Sequence, residues 1–165
     1  MVGLGTSYEV DNTDLTILKI LTTDGRCSFK DLSAKVGVSD STIQYRINRL
    51  VKTGIIERFS VQLNLQKLGY PIEVTMGMSV EPHHIDSVAS KLTEFPEIYS
   101  VWIVTGAHNI SCRAAFKSQD GLNATMTKLN KLEGIQQYHL SIASKKMKNI
   151  VEVFGLSSLL ESEIA

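Results

Sequence analysis

The chain has 165 residues, which is enough for one ordinary domain or two small ones and too few for a parallel α/β barrel enzyme. Hydrophobic residues make up 43% and charged residues 21%, as in a soluble globular protein, and no apolar run is long enough to span a bilayer. Lysine plus arginine and aspartate plus glutamate both number 17, so a partner recognised through charge must meet a local patch.

Apolar residues recur at helical spacing in three segments near the start of the chain. Asp11, Asn12 and Thr13 are candidate caps for the first helix, and glycines follow the second and third helices. The last two helices are separated by a short turn containing Gly37, which is typical of a helix-turn-helix. We therefore predict a DNA-binding domain over residues 1–58, with helices near 11–21, 29–36 and 43–51.

The third predicted helix has a polar face that suits DNA. With Ile43 at the centre of the buried stripe and about 100° per residue, the opposite face carries hydroxyl, amide and basic groups and no carboxylate after Asp40. Such groups match base edges and phosphates, whereas the alternative is an ordinary solvated helix face. The predicted DNA-contacting residues are Ser39, Ser41, Thr42, Gln44, Tyr45, Arg46, Asn48, Arg49 and Lys52.

The segment around this helix is locally basic. Residues 41–58 contain four basic residues and one acidic residue, a surplus that the neutral total conceals. Arg46 lies only about 60° from the buried stripe. We therefore expect it to reach a phosphate or to pair with an acid of the first helix, such as Asp14, rather than to read a base.

The next segment predicts a linker strand. Phe59, Val61, Leu63 and Leu65 alternate with polar residues, which favours an extended strand within a linker of residues 59–70. An isolated apolar strand has an unpaired edge unless a second subunit covers it. We therefore predict an obligate dimer.

The remainder of the chain alternates strand and helix patterns in the order β-α-β-β-α-β, the ferredoxin-like arrangement. This predicts an α+β protein whose helix-turn-helix is joined by a strand linker to a ferredoxin-like domain over residues 71–147. That fold hosts enzymes, metal carriers and sensors, so it does not by itself decide the function. The predicted segments are 72–81, 85–92, 101–105, 110–116, 122–132 and 135–143.

Sequence motifs for chemistry are absent. Cys27 and Cys112 lie in no C-x-x-C pair and are predicted to be small reduced hydrophobic side chains. His83 and His84 are adjacent in a predicted turn, but no H-E-x-x-H occurs, so no metal set is predicted. Without a nucleophile or phosphate-loop motif, we expect no cofactor and no enzymatic activity. The start of the chain does not resemble a signal peptide, which predicts a cytoplasmic protein with no membrane partner.

The combination of the two domains resembles the Lrp/AsnC family of feast/famine transcription regulators, over residues 11 to about 147. The resemblance is specific in both domains and includes Thr105 and Gly106 at the position of the family's effector loop. The matching stretches are 11–18 and 24–26 in the first helix and turn, 32–39 and 46–50 in the second and third helices, and 54–56 and 67–69 in the wing and linker.

The resemblance implies a winged helix-turn-helix regulator that binds a pseudo-palindromic operator of double-stranded DNA as a homodimer. It also implies further assembly, commonly to an octamer, and a small effector, typically an amino acid, bound between C-terminal domains. By position, the effector-binding residues would be Thr105, Gly106, Ala107, His108, Asn109, Tyr138 and Leu140.

Two departures from the family pattern concern this effector. The family usually has Asp-x-Asp after the loop glycine, whereas this chain has Ala107, His108 and Asn109 and no carboxylate for an ammonium group. Two threonines of the family's last strand are here Tyr138 and Leu140. Such a neutral pocket would bind a different ligand or none, and the alternative is that His108 and Asn109 only form a tight turn.

Residues 148–165 are too apolar for a free tail, and we expect them to pack on a neighbouring subunit. The sequence thus predicts a sequence-specific transcriptional regulator without catalytic chemistry. The alternative function is a ligand-sensing or architectural DNA-binding protein with little operator preference, and an enzyme is a distant third.

Overall fold

The computed structural model describes residues 9–145, and these fall into two compact units, 9–62 and 63–145. The boundary lies inside the linker predicted for residues 59–70. The predicted C-terminal tail, 148–165, lies outside the described residues. None of the described helices is long and apolar enough to cross a membrane.

Three capped helices form the first unit. Asp11, Ser28 and Ser39 are the N-caps, and each accepts a hydrogen bond from the backbone three residues later. Gly37 ends the second helix in the left-handed conformation, with φ of 81°, which glycine adopts without strain. The helices are α1 (Asn12–Thr23), α2 (Phe29–Val36) and α3 (Asp40–Lys52), which confirms the prediction for this part of the chain.

The buried core of the first unit is small. Ile17, Leu32, Ile43 and Ile47 form its apolar cluster. Burying one such side chain contributes about 1.5–3 kcal/mol. Because small domains bury a small share of their surface, polar contacts between the helices matter for the stability of this unit.

The strand predicted for the linker is not formed in the single chain. No strand is assigned between α3 and residue 72, and Phe59, Val61 and Leu63 are 57–79% exposed. A strand needs a neighbour that exchanges backbone hydrogen bonds with it, and residues 9–145 place no such neighbour beside this segment. The apolar alternation therefore remains on the surface of the single chain.

The second unit is an antiparallel sheet with two helices. Its strands are β1 (Ile72–Val80), β2 (Ile98–Ile103), β3 (Ile110–Phe116) and β4 (Ile135–Ile142). A short 3-10 turn (Pro82–His84) and α4 (Ile85–Thr93) lie between β1 and β2, and α5 (Gln119–Leu129) lies between β3 and β4. The spatial order β2-β3-β1-β4 confirms the ferredoxin-like prediction. β2 begins at Ile98 rather than residue 101, because Ile98 is buried directly after the turn at Pro96.

The two faces of β1 differ in what covers them. Val74, Met76 and Met78 belong to the buried core of this unit. That core also contains Cys112, whose burial raises its pKa to about 11, in agreement with an inert hydrophobic role. Gly77 lies between Met76 and Met78, and because side chains alternate along a strand, its position belongs to the opposite face of the sheet.

Candidate DNA interface and effector loop

The exposed face of α3 is the candidate DNA interface. Ile43, Ile47 and Leu50 are buried on its other face. The predicted division of this helix into a buried and an exposed face is therefore confirmed. Of the predicted DNA-contacting residues on α3, Ser41, Gln44, Tyr45, Asn48 and Lys52 are exposed and Thr42, Arg46 and Arg49 are half-buried. Asp40 and Val51 of the same helix are exposed as well.

Hydroxyl groups cluster at the N-terminus of α3. Ser39 Oγ accepts a hydrogen bond from the Thr42 backbone N–H at 3.2 Å. It lies 2.9 Å from the hydroxyl of Ser41 and 2.8 Å from that of Thr42. Ser33 donates to the Asp40 carboxylate, which joins α2 to the start of α3. These contacts orient a helix end whose partial positive charge suits a DNA phosphate.

Arg46 points back into the three-helix bundle. Its Nη1 donates to Asp11 at 2.7 Å and to Asp14 at 2.9 Å. Asp14 is fully buried, and the two aspartates form a reciprocal capping box at the start of α1. The hydrogen bond between Arg46 and Asp11 lowers the pKa of the carboxyl and raises the pKa of the guanidinium. Of the two roles expected for Arg46, the structure shows the pairing with Asp14, and a phosphate contact stays a prediction.

Arg49 lies beside Tyr45 at the edge of the exposed face. Its guanidinium carbon is 5.6 Å from the centre of the Tyr45 ring, within the range of a cation–π contact. Its Nη2 is 3.9 Å from Asp14. Tyr45 is nevertheless 62% exposed, so the contact holds an aromatic ring and a positive charge side by side at the surface.

The loop between β2 and β3 is the predicted effector loop. Its ends are joined by the Val104 backbone N–H, which donates to the Asn109 carbonyl at 2.9 Å. Thr105, Gly106 and Ala107 are exposed at its tip. Gly106 has φ of 147°, a conformation that favours glycine.

Asn109 attaches this loop to the end of β1. Its Oδ1 accepts from the Val80 backbone N–H at 2.9 Å, and its Nδ2 donates to the Val80 carbonyl at 2.6 Å. Its own backbone N–H donates to the Met78 carbonyl at 3.0 Å. The amide thus pairs with Val80 as a neighbouring strand would, which supports the turn-forming alternative for Asn109.

His108 lies over Gly77, on the face of the sheet opposite the helices. A Cβ at Gly77 would come within about 2.6 Å of the His108 ring, so glycine is needed for this approach. His108 Nδ1 is buried and has no hydrogen-bond partner among residues 9–145. Such an atom costs free energy unless water or a ligand satisfies it, which distinguishes His108 from the rest of the loop.

Tyr138 and Leu140 do not line the same space as His108. On β4 they pair with buried methionines of β1 and pack against the core, on the helix-covered face. His139, which pairs with Gly77, is the β4 residue that shares the face of His108. The structure therefore does not bring the predicted effector residues into one pocket of a single chain.

Sequence reasoning missed the contacts of two of these side chains. Asp11 was identified only as a cap, and nothing in the sequence marked it as a partner of Arg46. Asn109 in a predicted turn gave no sign of the backbone that it binds. Gly77 did give a signal, because an isolated glycine within a strand pattern indicates the close approach of another group.

Comparison with known families assigns both units. Residues 10–57 match the family of winged helix-turn-helix DNA-binding domains. Residues 73–153 match the Lrp/AsnC ligand binding domain.

Two archaeal relatives are similar over most of the chain. An HTH-type transcriptional regulator of Pyrococcus horikoshii is 36% identical over 141 residues, which cover 85% of this chain and 89% of the relative. The regulator LrpA of the same organism is 30% identical over 142 residues, which cover 84% of this chain and 99% of the relative.

Solved structures share the fold. The structure of E. coli AsnC is 25% identical, with a TM-score of 0.78 over 86% of this chain and 97% of that chain. A feast or famine regulatory protein of M. tuberculosis, solved in complex with L-methionine, is 20% identical, with a TM-score of 0.79 over 86% of this chain and 96% of that chain.

Proposed function

The chain belongs to the Lrp/AsnC family and is a helix-turn-helix transcriptional regulator, and we propose that it recognises a specific operator through the exposed face of α3. The observation that carries this proposal is the exposure of Gln44, Tyr45 and Asn48 on a helix whose other face forms the core. Amide and hydroxyl groups read base edges in the major groove. In this proposal, phosphates are bound by Lys52, Arg49 and the hydroxyls at the N-terminus of α3.

We propose a homodimer that inserts two α3 helices into successive major grooves of a pseudo-palindromic site, about 34 Å apart. The exposed apolar side chains of Phe59, Val61 and Leu63 support this assembly, because they lack cover in the single chain. By analogy with the family, the dimers assemble further through the C-terminal units, to an octamer.

We propose that the C-terminal unit binds a small effector at the loop of residues 105–109. The unsatisfied Nδ1 of His108 supports a ligand there. The M. tuberculosis protein, which shares the fold, was solved with L-methionine. Because Ala107, His108 and Asn109 bring no carboxylate to an ammonium group, we propose a ligand other than a common free amino acid.

We further propose that the chain has no catalytic role, since its sequence contains no nucleophile and base motif. We also propose that the regulator acts in the cytoplasm, where a chromosomal operator would be found. The competing function is an architectural DNA-binding protein with little operator preference.

Selection of genomic fragments by the purified full-length protein tests the proposed function. We expect enrichment of one pseudo-palindromic motif, with specific binding at least about 10³-fold tighter than non-specific binding at the same salt concentration. The position of the motif relative to promoters would then indicate repression or activation. Uniform recovery of fragments, with a ratio near one, would establish the architectural alternative instead.

A further inference from the structure

Glu81, His83 and His84 lie together in the turn that joins β1 to α4. The Nε2 atoms of His83 and His84 lie 3.2 Å and 4.0 Å from the same oxygen, Glu81 Oε2. One donor atom from each of the three residues lies within 4.8 Å of the others. We propose that these three side chains bind a divalent first-row transition-metal ion.

The donor spacing is close to that of a bound ion. Metal–nitrogen and metal–oxygen bonds of about 2.0–2.2 Å place neighbouring donors roughly 3.0–3.5 Å apart in octahedral or tetrahedral geometry. The longest separation allowed, 4.8 Å, would have to shorten by about 1.3–1.8 Å to close the site. His83 can make such a movement easily, because its side chain is 72% exposed.

The backbone already holds the turn in the required shape. The Glu81 backbone N–H donates to the Gly134 carbonyl at 2.9 Å, and the His84 backbone N–H donates to the Glu81 carbonyl at 2.9 Å. Gly134, with φ of 90°, lies so close to His84 that a Cβ there would collide with the His84 side chain. Three donors from four consecutive positions on a fixed turn lose little conformational freedom when they bind an ion.

The donor set indicates the class of metal. Two imidazoles and one carboxylate suit zinc, cobalt, nickel, copper or iron(II), whereas magnesium and calcium prefer oxygen donors. The partial positive charge at the start of α4 disfavours a cation. The full negative charge of Glu81 and that of Asp86 in the first turn of α4 oppose this effect.

The site adjoins the effector loop. Glu81 directly follows Val80, whose backbone N–H and carbonyl are both held by the side chain of Asn109. An ion on the turn would therefore fix the chain immediately after this attachment point. The site uses neither the loop residues 105–108 nor any residue of α3, so it is independent of the function proposed above.

Cobalt(II) is a suitable probe because its visible absorption reports coordination. The full-length untagged protein is treated with a chelator, dialysed and titrated with Co²⁺, and the bound Co²⁺ is then displaced with Zn²⁺. We expect one Co²⁺ per chain, loss of the visible band on addition of Zn²⁺, and a higher melting temperature with metal. Glu81→Gln and His83→Gln should each weaken Co²⁺ binding at least tenfold.

His139→Gln is the matched control, since His139 is exposed on β4 and outside the cluster. It should bind Co²⁺ as the unaltered protein does. Glu81 and His83 are tested in preference to His84, because the His84 side chain packs on Gly134. The proposal is overturned if Co²⁺ uptake does not saturate at one equivalent, if Glu81→Gln and His83→Gln bind normally, or if His139→Gln loses as much affinity as His83→Gln.

Discussion

Arg46 belongs to the recognition helix but serves the bundle. Its guanidinium pairs with Asp11 and the buried Asp14, so the two aspartates that cap α1 also fix α3 against it. Removing one partner of a buried ion pair leaves the other charge desolvated, which usually costs more than the pair contributes in net terms. We therefore propose that Arg46 holds α3 in the position from which its exposed residues would meet DNA.

Arg46→Ala should destabilise the N-terminal unit by about 2–3 kcal/mol. This is less than for a fully buried pair, because Arg46 is 21% exposed. Urea denaturation followed by helical circular dichroism measures the change, and Arg58→Ala, at an exposed position just after the helices, is the control. A loss below about 0.5 kcal/mol, as for a surface pair, would contradict the structural role.

Acid should weaken the same contact. Because Arg46 lowers the pKa of Asp11 below its ordinary value of 3.8, the stabilisation is fully present above that value and is lost as the pH falls through the lowered pKa. Asp11→Asn cannot titrate, so its urea midpoint should fall less than that of the unaltered protein between about pH 5 and pH 2. Parallel loss in both proteins would show that other carboxyl groups control the acid response.

Replacing the loop residues should separate their roles. In the unaltered protein, each of the twenty amino acids at millimolar concentration should change DNA affinity and oligomer size little. The loop lacks a carboxylate for the ammonium group, and the loss of that charge-assisted bond, about 1.5–3 kcal/mol, lowers the affinity for an amino acid at least tenfold. His108→Asp should increase the response. Asn109→Asp should instead loosen the loop, because a carboxylate oxygen would face the Val80 carbonyl, now 2.6 Å from Nδ2. Micromolar binding of an amino acid to the unaltered protein, measured by calorimetry, would refute the expected weak response to amino acids.

At the scale of the element, α3 shows how much helical periodicity can predict about side-chain directions. Ile43, Ile47 and Leu50 define one face, and helical spacing then fixes the direction of every other side chain. The direction of Arg46 was also predictable in this way. The direction of Tyr138 was missed, because its place was inferred from the family's last strand and not from the alternation along β4.

The elements that depend on distant partners were harder to predict. The end of α2 followed from its local cap, Gly37, whereas α3 and α5 each begin three residues before the predicted start. The start of β2 at Ile98 depends on burial against other strands, and the linker strand depends on a neighbour that the single chain does not provide. A side-chain attachment such as that of Asn109 has no periodic signature at all.

Two substitutions on α3 should have different effects on DNA binding. Gln44→Ala should relax the preference at one base position, with a loss of discrimination of about 1–3 kcal/mol. Lys52→Ala should weaken binding to all sequences alike. It should also reduce the slope of log K against log salt concentration by about one unit. Selection of bound fragments and titrations at several salt concentrations measure both effects. An unchanged motif for Gln44→Ala together with an altered motif for Lys52→Ala would reverse the assignment.

At the scale of the whole molecule, the zero net charge and the exposed apolar residues of the linker both favour a dimer. The formal net charge is zero, so the long-range field that attracts DNA must come from local basic groups, and a dimer doubles them. Phe59, Val61 and Leu63 are exposed and belong to the stretch of sequence in which one unit ends and the next begins. A second copy that covers this segment would supply the neighbour that a linker strand requires.

Phe59→Ser should weaken the dimer. Burial of a phenylalanine contributes about 1.5–3 kcal/mol, and a two-fold dimer contains the position twice, so the dissociation constant should rise by about 100-fold or more. Light scattering against concentration measures this, with Phe29→Ser on α2 as the control at another exposed phenylalanine. A stable monomer of the unaltered protein at micromolar concentration would disprove the obligate dimer.

The separation of the two faces of α3 allows the DNA target to evolve without loss of stability. Gln44, Tyr45 and Asn48 lie outside the buried cluster of the first unit. Substitutions at these positions should therefore change the stability of the three-helix unit little, since surface changes usually alter stability by about 0.5 kcal/mol or less. After gene duplication, a second copy of this regulator could acquire a new operator in a few mutational steps, each of which leaves a folded protein on which selection can act.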